Sequence, residues 1–383
     1  MLLATPAVKS TSRHLLSTPR RFTFTHLRFS SSASDSASAS TIATAFLSRF
    51  QSLGPQTRTQ TLDANQLRLL SLTLNRPSLF PTSPHLSSTS SSTATPNKNA
   101  LTPDAEVQDG TPLPAGYHLI YFTPAFLESE LGADGTDMSY NPAHPFTRRM
   151  WAGGEVSWPR SGKGGKVNPL RVGQKVTETT RVLSAEAKVV RKTGEEMVVV
   201  GVEKEFANEG GVAVVDRRNW VFRKALPPPS TSSTKTQNLP PANPPSPSPS
   251  TSKTTTSSDG KTHTRTLTQT PVTLFRFSAL TFNPHKIHYS LPWARDVEGH
   301  RDIVVHGPLN LISILDLWRD LQGGGEKDLD RFLPERVVYR ATSPLYAGDE
   351  YHINLTEGEG GKSEVDVITH EGNVGMKAEI WGV

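Results

Sequence analysis

Across residues 308–322 apolar side chains occupy nearly the whole circumference of a helical wheel: Leu309, Leu311, Ile312, Ile314, Leu315, Leu317, Trp318 and Leu321. A helix apolar on almost every side must be buried on almost every side. Pro308 suits its first turn, where a missing N–H costs nothing, and Gly323-Gly324-Gly325 ends it. The period then falls to two. Residues 336–341, 351–355, 364–369 and 374–381 read as strands; in the last, Val374, Met376, Ala378 and Ile380 share one face and Lys377 and Glu379 the other. A long buried helix followed by antiparallel strands predicts a sheet wrapped around that helix. Earlier in the chain, residues 42–52 and 64–74 carry helical spacing. A valine-rich run at 197–206, a turn at Asn208-Glu209-Gly210-Gly211 and apolar segments at 212–215 and 220–222 read as a β-meander.

Two stretches break these patterns. Residues 82–99 are almost entirely Ser, Thr, Pro and Asn and read as an insertion; residues 227–260 hold nine prolines among Ser and Thr with almost nothing apolar. The expected organisation is therefore an N-terminal unit over 41–226, a disordered linker over 227–270 and a C-terminal unit over 271–383. Pro169-Leu170-Arg171-Val172-Gly173 precedes a strand in the first unit, and Pro344-Leu345-Tyr346-Ala347-Gly348 precedes one in the second. This short repeat, with the β-rich end of each unit, predicts two copies of one α+β fold of the hot-dog type.

Charge bears on location rather than on nucleic acid. The 383 residues carry 41 basic and 36 acidic side chains, but residues 1–34 hold Lys9, Arg13, Arg20, Arg21 and Arg28 and no acid, so the rest of the chain is balanced. Those residues interleave Leu and Phe with Arg, Ser and Thr, the pattern of a mitochondrial transit peptide. The expected location is the mitochondrial matrix. The chain has no cysteine, which excludes disulfides, a thiol nucleophile and thiolate metal sites. No apolar run reaches the roughly 20 residues of a membrane span.

Chemistry concentrates between 275 and 309, where four of the twelve histidines lie: His285, His288, His300 and His306. Asn283-Pro284 breaks regular structure there. A metal site is one reading, from the spacing of His285 and His288 with His300 or His306 as a third ligand, but the spacing matches no standard site and no carboxylate is placed with them; no metal is expected. Proton transfer is the sharper reading, because imidazole exchanges protons near neutral pH. His306-Gly307-Pro308 falls where the buried helix begins. The amide of Gly307 would lie at the positive helix end and suits a developing oxyanion. A histidine beside such a donor suits proton abstraction alpha to a carbonyl.

Thr281-Phe282-Asn283-Pro284 with His288, followed by Val305-His306-Gly307-Pro308-Leu309, resembles the MaoC-type (R)-specific hydratase and dehydratase motif. Gly116 to Pro124 (Gly-Tyr-His-Leu-Ile-Tyr-Phe-Thr-Pro), Arg148-Arg149-Met150-Trp151-Ala152-Gly153-Gly154 and Glu298-Gly299-His300 extend the likeness to the mitochondrial hydroxyacyl-thioester dehydratase type 2 group and its mesaconyl-CoA hydratase-like relatives. The resemblance covers most of 110–226 and 272–383. It implies a double hot dog, each unit an antiparallel sheet around a central helix, with one active site in the C-terminal copy. It implies reversible dehydration of (3R)-3-hydroxyacyl thioesters of acyl carrier protein or coenzyme A, in mitochondrial type II fatty-acid synthesis, with no cofactor.

On the same resemblance His288 is the catalytic histidine, Asn283 orients the thioester or a water, and Gly307 gives the oxyanion amide. Thr281 stands in the slot where the motif has an aspartate. His288 then carries both proton transfers, or His285 or another group substitutes. Thr281, His306, Pro308, Arg148, Arg149 and Trp151 are candidate substrate-binding residues; the last of these and the two arginines could equally be a packed loop. An acyl-thioesterase, a mesaconyl-CoA-type hydratase and a non-catalytic acyl-binding or assembly subunit are the alternatives. The chain is expected to be a monomeric pseudo-dimer or a homodimer, with no nucleic-acid partner.

Overall fold

The computed structural model describes residues 38–80, 83, 86, 106–161, 165–191, 193–226, 239–242, 252–322 and 329–382. The expected leader at 1–34, and the insertion at 82–99 apart from Ser83 and Leu86, lie outside the described residues. In order along the chain come α1 (Ala39–Leu53), β1 (Gln56–Thr61), α2 (Ala64–Thr73), β2 (Arg148–Ser157), β3 (Lys175–Val189), β4 (Glu196–Asn208) and β5 (Gly211–Arg223). The second half contributes β6 (Ser252–Thr256), β7 (Thr262–Thr268), α3 (Pro271–Leu280), α4 (Gly307–Leu321), β8 (Arg336–Ala341), β9 (Glu350–Glu357), β10 (Lys362–Ile368) and β11 (Val374–Trp381).

The eleven strands of the described residues form one antiparallel sheet in the order β1-β3-β4-β5-β2-β8-β11-β10-β9-β7-β6. From each side inward, setting β6 aside, both halves read first, third, fourth, fifth and second strand. The two second strands pair at the centre, Gly153 opposite Arg340 through Ser157 opposite Arg336. The same topology twice, joined at one seam, is a double hot dog.

The duplication extends to single hydrogen bonds. Two residues separate β1 from α2 and two separate β7 from α3, and both helices have ten residues. After α2 the amides of Leu74, Asn75 and Arg76 bond the carbonyls of Leu70, Leu72 and Ser71 at 3.0, 3.1 and 2.9 Å; after α3 those of Thr281, Phe282 and Asn283 bond Phe277, Ala279 and Ser278 at 3.0, 3.2 and 2.9 Å. Asn75 and Phe282 are both left-handed, at φ 54° and 47°, and a proline follows two residues later in each case. The repeat at 169–173 and 344–348 is part of this symmetry. Gly173 and Gly348 sit at φ 80° and 82°, which glycine adopts without steric cost. Their amides reach the carbonyls of Leu62 and Gln269, each one residue past the first strand of its half, at 2.9 and 2.8 Å.

The halves differ in their middle. Leu113 donates to Leu170 as Val305 donates to Leu345, both at 2.8 Å, so the entries to the central helix correspond. From there the C-terminal half builds the fifteen residues of α4, whereas the N-terminal half makes only a 3-10 turn, Tyr117–Ile120. The expectation of a central helix in each unit holds for the second unit alone. Pro124 keeps Thr123 out of the helical region, and Phe122 is left-handed at φ 54°, so the turn cannot extend. Helix α4 therefore serves both halves. Its side chains from Leu309 to Trp318 are buried, and a Cβ on Gly116 would lie 2.9 Å from Leu315 Cδ1. The far part of the N-terminal sheet is covered instead by α1, through Ile42, Ala43, Phe46 and Phe50 against Val198, Val200, Val202 and Phe222.

The segment expected to be a disordered linker, 227–270, ends in the hairpin of β6 and β7, with β7 paired along β9. Period two is present there, Thr262, Thr264, Thr266 and Thr268 alternating with His263, Arg265 and Leu267. It is hard to recognise because two of the three buried positions are polar. Arg265 is satisfied by Asp320 at 2.9 Å. Residues 252–268 thus pair with the C-terminal sheet.

Candidate active site

Helix α3 delivers the site. Its C-cap, Thr281, turns its hydroxyl back to donate to the Phe277 carbonyl at 2.7 Å. Phe282 is exposed, and the Asn283 side-chain oxygen accepts from the His285 amide at 3.3 Å. That turn feeds a 3-10 turn, Lys286–His288. Val304, approaching α4, donates to the Ile287 carbonyl at 2.9 Å, and its own carbonyl lies 2.7 Å from His288 Nδ1. A carbonyl only accepts, so Nδ1 carries the ring proton and Nε2 keeps a lone pair. Burial, with His285 nearby, pulls His288 down to about 3 against the favourable bond to Val304. The ring is a neutral base of fixed tautomer.

Two further imidazoles pack on it. His306 stacks with centroids 3.6 Å apart and planes at 19°; His285 meets it edge-on at 5.3 Å. His306 Nε2 bonds the Ser278 hydroxyl at 2.9 Å, while its buried Nδ1 has no partner among the described residues. His285 Nε2 is likewise without a hydrogen bond, its nearest carboxylate oxygen being Asp134 Oδ2 at 3.9 Å. Burial, then Arg149, His300 and Arg148, lowers His285 to about 3; burial, then His288 and His285, places His306 well below its ordinary value.

Gly307 opens α4. The Trp151 ring covers it so closely that a Cβ would overlap Cε3, and Trp151 in turn stacks on Tyr339 at 4.7 Å. Pro308 follows and has no N–H, so the amides of Gly307 and Leu309 are the first donors at the positive end of this helix. All ten candidate residues, Thr281, Asn283, His285, His288, His306, Gly307, Pro308, Arg148, Arg149 and Trp151, line one groove of about 1740 Å³. The groove continues past Trp151 over the N-terminal sheet to Arg218, Lys204 and Glu178, the face that the shortened central helix leaves uncovered.

The structure refines several roles. The Thr281 hydroxyl is committed to its helix. Arg148 Nε pairs with Glu298 Oε2 at 3.3 Å and Arg149 Nη2 with Asp137 Oδ2 at 2.9 Å, so both arginines are held by carboxylates of the chain. Ser278 and Tyr339 were not singled out from sequence. Ser278 had a usable signal, lying three residues before Thr281 on the same helix; Tyr339 had none beyond its strand. Among the described residues no group of three His, Asp or Glu is placed to hold a metal ion. In the N-terminal half the symmetry puts Arg76 where Asn283 stands, and Pro114 and Ala115 where His306 and Gly307 stand. Arg76 is tied to Asp320 at 2.5 Å.

A double hot dog whose one histidine cluster faces a helix N-terminus on a long groove defines the class of the chain. A family model for hydroxyacyl-thioester dehydratase type 2 matches residues 116–347, and the chain belongs to that family. Mesaconyl-C(4)-CoA hydratase of Chloroflexus aurantiacus is 30% identical over 212 residues, covering 55% of this chain and 65% of that protein. The mitochondrial hydroxyacyl-thioester dehydratase type 2 of Schizosaccharomyces pombe is 26% identical over 284 residues, covering 68% and 82%. The crystal structure of HtdX from Mycobacterium tuberculosis aligns with a TM-score of 0.48 at 12% identity, over 86% of this chain and all of that one.

Proposed function

We propose that the chain is a hydro-lyase that reversibly removes water from (3R)-3-hydroxyacyl thioesters. The observation that carries this reading is the His288 ring, fixed by Val304 as a neutral base in the same groove as the Gly307 amide. In the forward direction His288 Nε2 takes the C2 proton. The thioester oxygen gains charge against the Gly307 amide, at the positive end of α4. The C2–C3 double bond forms as the C3–O bond breaks, and the departing hydroxyl takes the proton that His288 Nε2 has just received and leaves as water, returning the ring to its neutral form. Asn283, whose carbonyl oxygen is anchored on the His285 amide, keeps its NH₂ for the thioester or the departing water. The part of the groove over the N-terminal sheet, where Phe122, Phe206 and Trp220 also line it, receives the acyl chain.

The thioester carrier is acyl carrier protein or coenzyme A. The acid-free first 34 residues and the mitochondrial relatives favour a mitochondrial, matrix role in fatty-acid synthesis; the Chloroflexus relative makes a mesaconyl-CoA-type hydratase the second reading. Absorbance of the enoyl-thioester band, with crotonyl-CoA and trans-2-decenoyl-CoA added to the full chain, tests the activity. Wild type should hydrate the double bond to a (3R) product, and His288→Ala should lose at least a hundredfold in kcat. Release of free CoA without hydroxyacyl product would make it a thioesterase instead.

A further inference from the structure

A water that attacks C3 lone pair first is oriented when both of its O–H bonds meet acceptors. His288 Nε2 is one acceptor. The aspartate slot offers no carboxylate as the other: it holds Thr281, whose hydroxyl is bound to Phe277. Of the carboxylates in the groove wall, Asp137, Glu178 and Glu298 are each held by an arginine or a lysine.

Helix α4 supplies the acceptor. Among the described residues it contributes Gly307, Pro308 and Asn310 to the groove wall. The Asn310 amide donates to the His306 carbonyl at 3.2 Å, and the residue follows Gly307 by three positions, on the same helix face. Asn310 is 4% exposed, and its Oδ1 has no hydrogen-bond partner among the described residues. Other polar side chains of this helix have partners: Ser313 bonds Leu309, Asp316 meets Tyr117 and Arg319, and Asp320 meets Arg76 and Arg265. A buried amide oxygen left open in an apolar helix carries the penalty of an unmade hydrogen bond until a ligand makes it.

Three more buried atoms around the site lack partners, and each suits the water less well. Trp151 Nε1 can only donate. His285 Nε2 has Asp134 Oδ2 at 3.9 Å. His306 Nδ1 belongs to a ring stacked on His288 with planes at 19°, so a water in the plane of His288 lies off its lone-pair direction.

We infer that Asn310 Oδ1 is the second acceptor, receiving an O–H of the attacking water and, in the reverse direction, the O–H of the 3-hydroxyl; this rests on the dehydratase reading above. The spacing suits that role. Three residues advance the helix by about 4.5 Å, and the 3-hydroxyl stands two carbons from the carbonyl whose oxygen the Gly307 amide receives. In hydration the water gives one proton to His288 Nε2 as its lone pair forms the C3–O bond. The C2–C3 π pair moves towards the thioester oxygen, and the proton on His288 then passes to C2. The remaining hydrogen stays on the oxygen, bonded to Asn310.

The test compares the two directions in the full chain. Asn310→Leu, an apolar residue of similar size in an apolar helix, should raise KM for (3R)-3-hydroxybutyryl-CoA about tenfold and leave the kcat of dehydration within a few-fold. Hydration of crotonyl-CoA, which carries no hydroxyl, should show the opposite split, with kcat down about tenfold and KM within a few-fold. The two kcat/KM values then fall together, as a fixed equilibrium constant requires. Inhibition by butyryl-CoA, which also lacks the hydroxyl, should be unchanged. Asn310→Asp keeps the acceptor and should hold KM for the hydroxy substrate within a few-fold of wild type. Asn310 does not hold the oxygen if Asn310→Leu matches wild type in both directions, if its kcat falls alike in both, or if butyryl-CoA inhibition weakens in step with the hydroxyacyl KM. A folded Asn310→Asp whose hydroxyacyl KM rises about tenfold overturns it equally. If wild type catalyses neither direction, the dehydratase reading itself falls.

Discussion

A single main-chain oxygen determines which nitrogen of His288 keeps its lone pair. Because Val304 accepts from Nδ1, only Nε2 is open to the proposed chemistry, and a substitution that disturbs the 286–288 turn would act through the tautomer as much as through position. Thr281 makes the converse point. It occupies the motif's aspartate slot, but its hydroxyl caps α3, so Thr281→Val should cost about 0.5–1.5 kcal/mol of stability and leave kcat within a few-fold. Urea unfolding and the crotonyl-CoA assay check the two halves of that statement. The residues that line the candidate site were largely legible in sequence, since a cluster of histidines beside Asn-Pro and His-Gly-Pro is dense and local. Their partners were not. That Arg148 meets Glu298, 150 positions on, or that Ser278 meets His306, follows from strand order and helix packing that no spacing encodes.

Elements were legible where apolar side chains set the period. Helix α4 and strands β8 to β11 lie within a residue or two of their expected bounds. Strand β1, Gln56–Thr61, has no apolar residue at all and sits at one edge of the sheet; β6, Ser252–Thr256, is its polar counterpart at the other. Edge strands of this kind resist pairing with other chains, and the same polarity hides them from a hydrophobic pattern. The duplication was visible only as five residues; its full extent lies in hydrogen bonds between residues of unlike type. Helix α4 is where both halves are most exposed to damage. Leu315, fully buried and packed towards Gly116, should cost about 2–5 kcal/mol when replaced by Ala. A lower urea midpoint with an unchanged m-value is the expected result.

For the molecule as a whole, the buried histidines set an acid limit. His285 and His288 titrate at about 3 in the fold and His306 is also lowered, against about 6.5 when unfolded. Between those values the unfolded chain binds more protons than the folded one, so stability falls as pH drops below 6.5, by at most about 1.4 kcal/mol per unit for each ring. Melting temperature should decline from pH 6.5 to 5.5, a window that lies above both the folded and the unfolded titration of the lowered carboxylates Asp137, Glu178 and Asp216. The decline should be shallower in His306→Phe. A flat profile would mean that these rings are solvated.

The near-identity of the turns at 74–77 and 281–284 has one more consequence. Two separate copies of one polypeptide must carry the same residue at matching places, so every change to one centre is imposed on its twin. Here the twins share a backbone, and position 76 can be an arginine locked to Asp320 while position 283 stays an asparagine. Because both turns lie in one chain, their likeness of shape places no constraint on the side chains they carry.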